Sequence, residues 1–83
     1  MASLDQTLRI FADLLAAEPP VPAGPVDEAV WAYLAAVPGL SAQIEALDRL
    51  RRAAADLDAD SPVMPMLRDI LDRHRARLDE GRA

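Results

Sequence analysis

Hydrophobic residues recur at helical spacing in four segments of the chain, and prolines separate most of these segments. In the third segment, Leu40, Ile44, Leu47 and Leu50 fall on one face of a helix. The spacing predicts helices at about 4–17, 25–37, 41–57 and 62–80. No segment shows the alternation that a half-buried strand requires. We therefore predict an all-α fold, a small four-helix bundle formed by a single interaction domain, 1–83.

Capping residues and prolines predict where these helices begin and end. Ser3 and Gln6 have the spacing of a capping box at the start of helix one. Four prolines at 18–25 fix φ and remove N–H donors, so we expect a proline-rich, extended connector between helices one and two. Ser61 is expected to cap helix four. The last two helices then form an antiparallel hairpin across a turn at 58–61, with the first two packed on it.

The composition limits the size of the core. The chain has 83 residues, of which 52% are hydrophobic, but 17 of the hydrophobic residues are Ala. A single core in a chain this small rarely supplies more than about 3–5 kcal/mol. We therefore expect self-association into a homo-oligomer or a partner protein.

The charge pattern argues against several classes of function. The formal net charge is −5, and every basic residue except the single His is Arg. Most of the net negative charge lies in residues 1–40, which hold five acidic residues and one basic residue. Since phosphate backbones and anionic lipid headgroups repel such a chain, we expect no binding to nucleic acid or to membranes. The apolar runs are far shorter than a membrane span, and the chain begins without the pattern of a signal peptide, so we expect a cytoplasmic protein.

The sequence also lacks the motifs of an enzyme or a metal site. Cys is absent, His occurs once, and three glycines are too few for a phosphate-binding loop. The alternating aspartates at 56–60 are similar to the opening of a calcium loop, but Ser61 and Leu67 occupy the positions that require Gly and Glu. We expect no catalytic residue, no cofactor, no metal and no small-molecule substrate.

Three residues are candidates for contacts with a partner protein. Trp31 points roughly 120° away from the apolar face of helix two, so the indole is either covered by the proline-rich connector or presented to a partner. Arg51 falls inside the apolar stripe of helix three. It either extends to water along its methylenes or meets an acid on a neighbouring helix or on a partner. His74 lies in the stripe of helix four, as a packing residue, an interface residue or a catalytic base.

These observations favour a small cytoplasmic protein–protein interaction module, an accessory subunit, adaptor or assembly factor that binds its partner through amphipathic helices. One alternative is an acidic inhibitor, antitoxin-like or phage-encoded, that neutralises a basic target which handles nucleic acid. Another alternative is a self-associating structural helical protein. The sequence also predicts two i,i+4 ion pairs on helix three, Glu45–Arg49 and Asp48–Arg52.

Overall fold

Four helices form where the apolar periodicity predicts them. The structure, a computed structural model, describes residues 3–18, 21–57 and 59–82. The described residues form α1 (Leu4–Ala16), α2 (Ala23–Ala35), α3 (Leu40–Ala55) and α4 (Met64–Arg82), with no strand among them. The prediction of an all-α fold with four helices is confirmed. α3 packs against α4, while α2 packs against α1, α3 and α4.

Local signals explain the starts of α1 and α3. The backbone N–H of Gln6 donates to Ser3 Oγ, and the N–H of Ser3 donates to Gln6 Oε1, both at 3.2 Å. The predicted capping box is therefore present, and it satisfies donors that no helical carbonyl can reach. At the start of α3, Gly39 has a φ of +90°, in the left-handed region that favours glycine.

α2 begins two residues earlier than predicted. Pro22 is its N-terminal cap residue, and Pro25 lies in the first turn, where a missing N–H costs nothing because no helical acceptor exists. The predicted connector is therefore shorter than 18–25, since residues from Ala23 onwards are helical. Pro19 and Pro20, which belong to the same predicted connector, lie outside the described residues.

The other end of α2 is fixed by a side chain of α3. The amide Nε2 of Gln43 donates to the carbonyl oxygens of Leu34 and Val37, both at 3.1 Å. The last carbonyl groups of a helix have no intrahelical donor. The amide of Gln43 supplies a donor to two carbonyl oxygens where α2 ends at Ala35.

α4 begins at Met64, two residues later than predicted. The hydroxyl of Ser61 accepts from the backbone N–H of Val63 at 3.2 Å and donates to the carbonyl oxygen of Leu15 at 2.7 Å. Ser61 is buried, so both bonds are shielded from water. Ser61 therefore orders the turn before α4 and also fixes that turn to the end of α1.

The core lies where all four helices meet. Its largest fully buried apolar side chains are Phe11, Val26, Val30, Leu34, Leu47, Leu50, Met64 and Leu67. Buried polar groups have hydrogen-bond partners, some of them on other helices, as when the Tyr33 hydroxyl donates to the carbonyl oxygen of Ala46 at 3.1 Å. Among the described residues, the only exposed large hydrophobic side chains are those of Ile10 and Trp31. Most of the apolar stripes are therefore covered within one chain.

Two ion pairs show that α3 and α4 run antiparallel. Asp48 of α3 pairs with Arg75 of α4, and Arg51 of α3 pairs with Asp72 of α4. A step of three residues forward along α3 therefore corresponds to a step of three residues backward along α4. The predicted helical hairpin is confirmed by this register. In the described part of the chain, every helix is too short or too polar to cross a bilayer.

Candidate interaction surface

Trp31 lies at the edge of α2 that faces α4, and it is 47% exposed. The guanidinium carbon of Arg77 is 3.9 Å from the centroid of the indole ring, in the position of a cation–π contact. The imidazole of His74 meets the indole at 80°, with 5.3 Å between ring centroids. The indole is therefore held by two side chains of α4 while about half of the residue faces solvent.

His74 connects α4 to α2 through both of its ring nitrogens. The residue is only 4% exposed, its Nε2 is 2.7 Å from Asp27 Oδ1, and its Nδ1 is 3.2 Å from a terminal nitrogen of Arg77. Because a guanidinium only donates, Nδ1 must be the acceptor in that contact. The proton of the neutral ring is therefore assigned to Nε2, which donates to the Asp27 carboxylate.

We call this group the Trp31 surface, and it consists of Asp27, Trp31, Arg73, His74 and Arg77. These five residues line a shallow depression of about 240 Å³. Both nitrogens of the imidazole are occupied, and the described residues place no nucleophile in this depression. The arrangement is that of a fixed aromatic side chain with cationic groups beside it, which suits contact with another molecule.

The structure brings together two of the three candidate residues and separates the third. Trp31 and His74 are in contact, whereas Arg51 lies on α3 and pairs with Asp72 of α4 at 2.6 Å. Arg51 therefore meets an acid of a neighbouring helix, which is one of its predicted environments. The indole of Trp31 is exposed, and residues 19–20 of the connector expected as its alternative cover lie outside the described residues. For His74, the structure shows a buried side chain with two polar partners.

Sequence reasoning missed the partners of these residues. Asp27 and Arg77 were not candidates, although Asp27 lies one turn before Trp31 and Arg77 lies one turn after His74. Residues at these spacings share a helix edge. That signal places each pair on its own helix, but only the packing of α2 against α4 brings the two pairs together.

Arg51 lines a separate cleft between α3 and α4, with a volume of about 500 Å³. Its floor is apolar and includes Ala54, Met64, Leu67 and Leu71, while three arginines and two aspartates form its walls. The predicted pairs Glu45–Arg49 and Asp48–Arg52 are not among the ion pairs of the described residues.

Asp48 instead reaches across to Arg75, and its hydrogen bond is the main cause that raises the pKa of Arg75 above the usual arginine value.

Within the described residues, no three His, Cys, Asp or Glu side chains converge as metal ligands. Asp58, the central residue of the alternating aspartates at 56–60, lies outside the described residues. Comparisons of the chain with protein-family models, with curated proteins and with solved structures gave no match.

Proposed function

We propose that the protein is a small cytoplasmic protein–protein interaction module, an accessory subunit, adaptor or assembly factor, and that it binds a partner protein through the Trp31 surface. The observation that carries the proposal is the half-exposed indole of Trp31, fixed between Arg77 and His74. Tryptophan is enriched among the residues that dominate binding energy at interfaces. An indole that is already ordered loses little conformational entropy when a partner covers it.

The charges around Trp31 favour a particular kind of partner surface. Among the described residues, Arg77 forms no ion pair and makes one hydrogen bond, to His74, in addition to its contact with the indole. Its remaining N–H donors are available to an acceptor beside the indole. Arg73 adds a second positive charge, and its one ion pair among the described residues is with the exposed Asp69. We therefore expect an apolar pocket that receives the indole, with a carboxylate at its rim.

Affinity capture from the native host tests this proposal. The wild-type chain, Trp31→Ala and Ile10→Ala are immobilised at equal density. Ile10→Ala is the matched control because Ile10 is the other exposed large hydrophobic residue of the described chain. We expect one partner to be retained by wild type and by Ile10→Ala, and its affinity for Trp31→Ala to fall by about 2 kcal/mol or more, the range of interface hot spots.

Each other outcome has a definite meaning. Equal retention by all three proteins would show that the partner binds elsewhere, and capture of nothing would contradict the proposed function. Light scattering over a concentration series identifies a second copy as the occupant if the mass doubles. In that case the Trp31 surface is a homo-oligomer interface if Trp31→Ala stays monomeric.

A second candidate function, an acidic inhibitor of a basic target that handles nucleic acid, is supported by the distribution of exposed acids. Asp5, Asp13, Glu18 and Glu28 are exposed and form no ion pair with other described residues. Such carboxylates can meet a basic surface without first breaking internal contacts. Binding through these four carboxylates weakens steeply with salt, whereas binding through the indole with a single rim carboxylate weakens much less. A salt series on the captured complex distinguishes the two functions.

A further inference from the structure

The cleft between α3 and α4 contains Arg52 and Arg68, and the acids expected to pair with these two arginines form ion pairs with other residues. On an isolated helix, Asp48 would neutralise Arg52 and Asp72 would neutralise Arg68, because each pair is four residues apart. In the folded chain, Asp48 pairs with Arg75 of α4 and Asp72 pairs with Arg51 of α3. Both acids therefore contact cations of the opposite helix.

This exchange leaves Arg52 and Arg68 without a carboxylate partner among the described residues. Both side chains are exposed and both line the same cleft. The lining residues include three arginines and two aspartates, so their formal charges sum to +1 in a chain whose net charge is −5. Because Asp48 is itself paired with Arg75, the unpaired positive charge of the cleft belongs to Arg52 and Arg68, and a negative charge placed between them would contact both.

The shape of the cleft indicates what should carry that negative charge. Its volume of about 500 Å³ lies within the range of small-molecule sites, roughly 300–1,000 Å³. Leu67 and Leu71 contribute to an apolar floor, and Ala55 leaves room at the side because its side chain is a single methyl group. The methylene stems of the arginines extend this apolar lining.

We propose that this cleft binds a small amphipathic monocarboxylate, whose carboxylate contacts Arg52 and Arg68 and whose apolar part lies on the floor. Guanidinium groups match the planar geometry of a carboxylate and bind it through charge-assisted hydrogen bonds. A dianionic phosphate fits less well, because its second negative charge would face the carboxylates of Asp48 and Asp72, which line the same cleft. The site lies on a different face from the Trp31 surface, so the proposal does not depend on the proposed interaction with a partner.

Titration of the full chain with octanoate, followed by ¹H–¹⁵N correlation spectra, tests the assignment. We expect saturable shifts of backbone amides at Arg52, Ala55 and Arg68, with smaller changes at Trp31. Octanol and octylamine should bind at least tenfold more weakly, because neither supplies an anion. Octyl phosphate at a pH where it is dianionic should also bind more weakly than octanoate.

Variants then localise the site. The double variant Arg52→Gln/Arg68→Gln should weaken octanoate binding at least tenfold. Arg9→Gln/Arg49→Gln changes the net charge equally at two exposed positions outside the cleft and outside the Trp31 surface, and it should bind as the wild type does. Spectra of the free variants establish that both fold.

Three results would overturn the proposal: no saturable shifts at the cleft, octanol binding equal to octanoate, or equal losses in the two double variants. Tighter binding of octyl phosphate would overturn the assignment to a monocarboxylate.

Discussion

The two edges of α4 use polar residues in different ways. At the edge facing α2, His74 is buried and contacts Asp27, Arg77 and the indole of Trp31. At the edge facing α3, Arg51 and Asp72 form an ion pair whose side chains are 40% and 60% exposed. One helix therefore carries a buried, multiply connected contact on one side and a solvated pair on the other.

The difference shows that proximity of charges does not determine their contribution to stability. A solvated ion pair forms at the expense of favourable contacts that both charged groups already make with water, so it typically stabilises the fold by about 0–1 kcal/mol. A buried polar side chain loses its contacts with water, so removing it or its partners costs more. We therefore expect the contacts of His74 at the α2 edge to contribute more to folding than the Arg51–Asp72 pair at the α3 edge does.

The largest expected effect concerns the core that both edges enclose. Leu47 is fully buried at the centre of α3, so Leu47→Ala should lower the free energy of unfolding by about 2–5 kcal/mol. Ile10→Ala, at an exposed position, should cost less than about 1 kcal/mol. Urea denaturation followed by circular dichroism measures both, and a wild-type midpoint for Leu47→Ala would mean that the buried face is assigned wrongly.

The next prediction compares the two edges directly. His74→Ala should lower the free energy of unfolding by about 2 kcal/mol or more, because it removes a buried side chain and both of its hydrogen bonds. Arg51→Ala should cost less than about 1 kcal/mol, since it removes only a solvated ion pair. The same denaturation experiment serves for both variants, and equal losses would remove the distinction between the edges.

The sequence predicts the helices well because apolar spacing and capping are local properties. Ser3 and Gln6 form the predicted capping box, and the stripe through Leu47 is buried. The site was less predictable because its contacts join distant segments. His74 contacts Asp27, which lies 47 residues away in the sequence. Asp48 pairs with Arg75 and not with Arg52, although Arg52 is closer in the sequence. Spacing along one helix gives the available pairs, but tertiary packing selects among them.

Tyr33 provides a third kind of polar contact, between α2 and α3, which can be tested by pH. Burial raises the pKa of the Tyr33 phenol above its ordinary value of 10, and the charge of Arg49 opposes this only in part. The folded state therefore holds the phenolic proton more tightly than the unfolded state does. The stabilisation is fully present below pH 10 and is lost as the pH rises from about 10 through the raised pKa.

Denaturation midpoints measured between pH 9 and 11.5 should show this loss of stability for the wild-type chain. Tyr33→Phe is the control, because it keeps the ring and removes the titrating hydroxyl. Its stability should be lower near neutral pH by about 1 kcal/mol, from the lost bond to Ala46, and should depend less on pH above 10. An identical pH dependence in both proteins would assign the effect to other groups.

The smallest expected effect concerns how Arg77 covers the indole. Trp31 is the only tryptophan, so its fluorescence reports on this surface alone. Because the residue is 47% exposed, acrylamide should quench the free monomer readily and the emission should not be strongly blue-shifted. The nearby guanidinium of Arg77 should attract anions, so iodide should quench more effectively than caesium.

Arg77→Ala should raise acrylamide quenching, because one face of the ring is uncovered. It should also reduce the advantage of iodide over caesium, because a positive charge is lost. Arg68→Ala is the matched control, since it removes an exposed arginine from the other edge of α4. Fluorescence that acrylamide fails to quench at every protein concentration would indicate an indole buried within the chain. That result would contradict the Trp31 surface as a contact site.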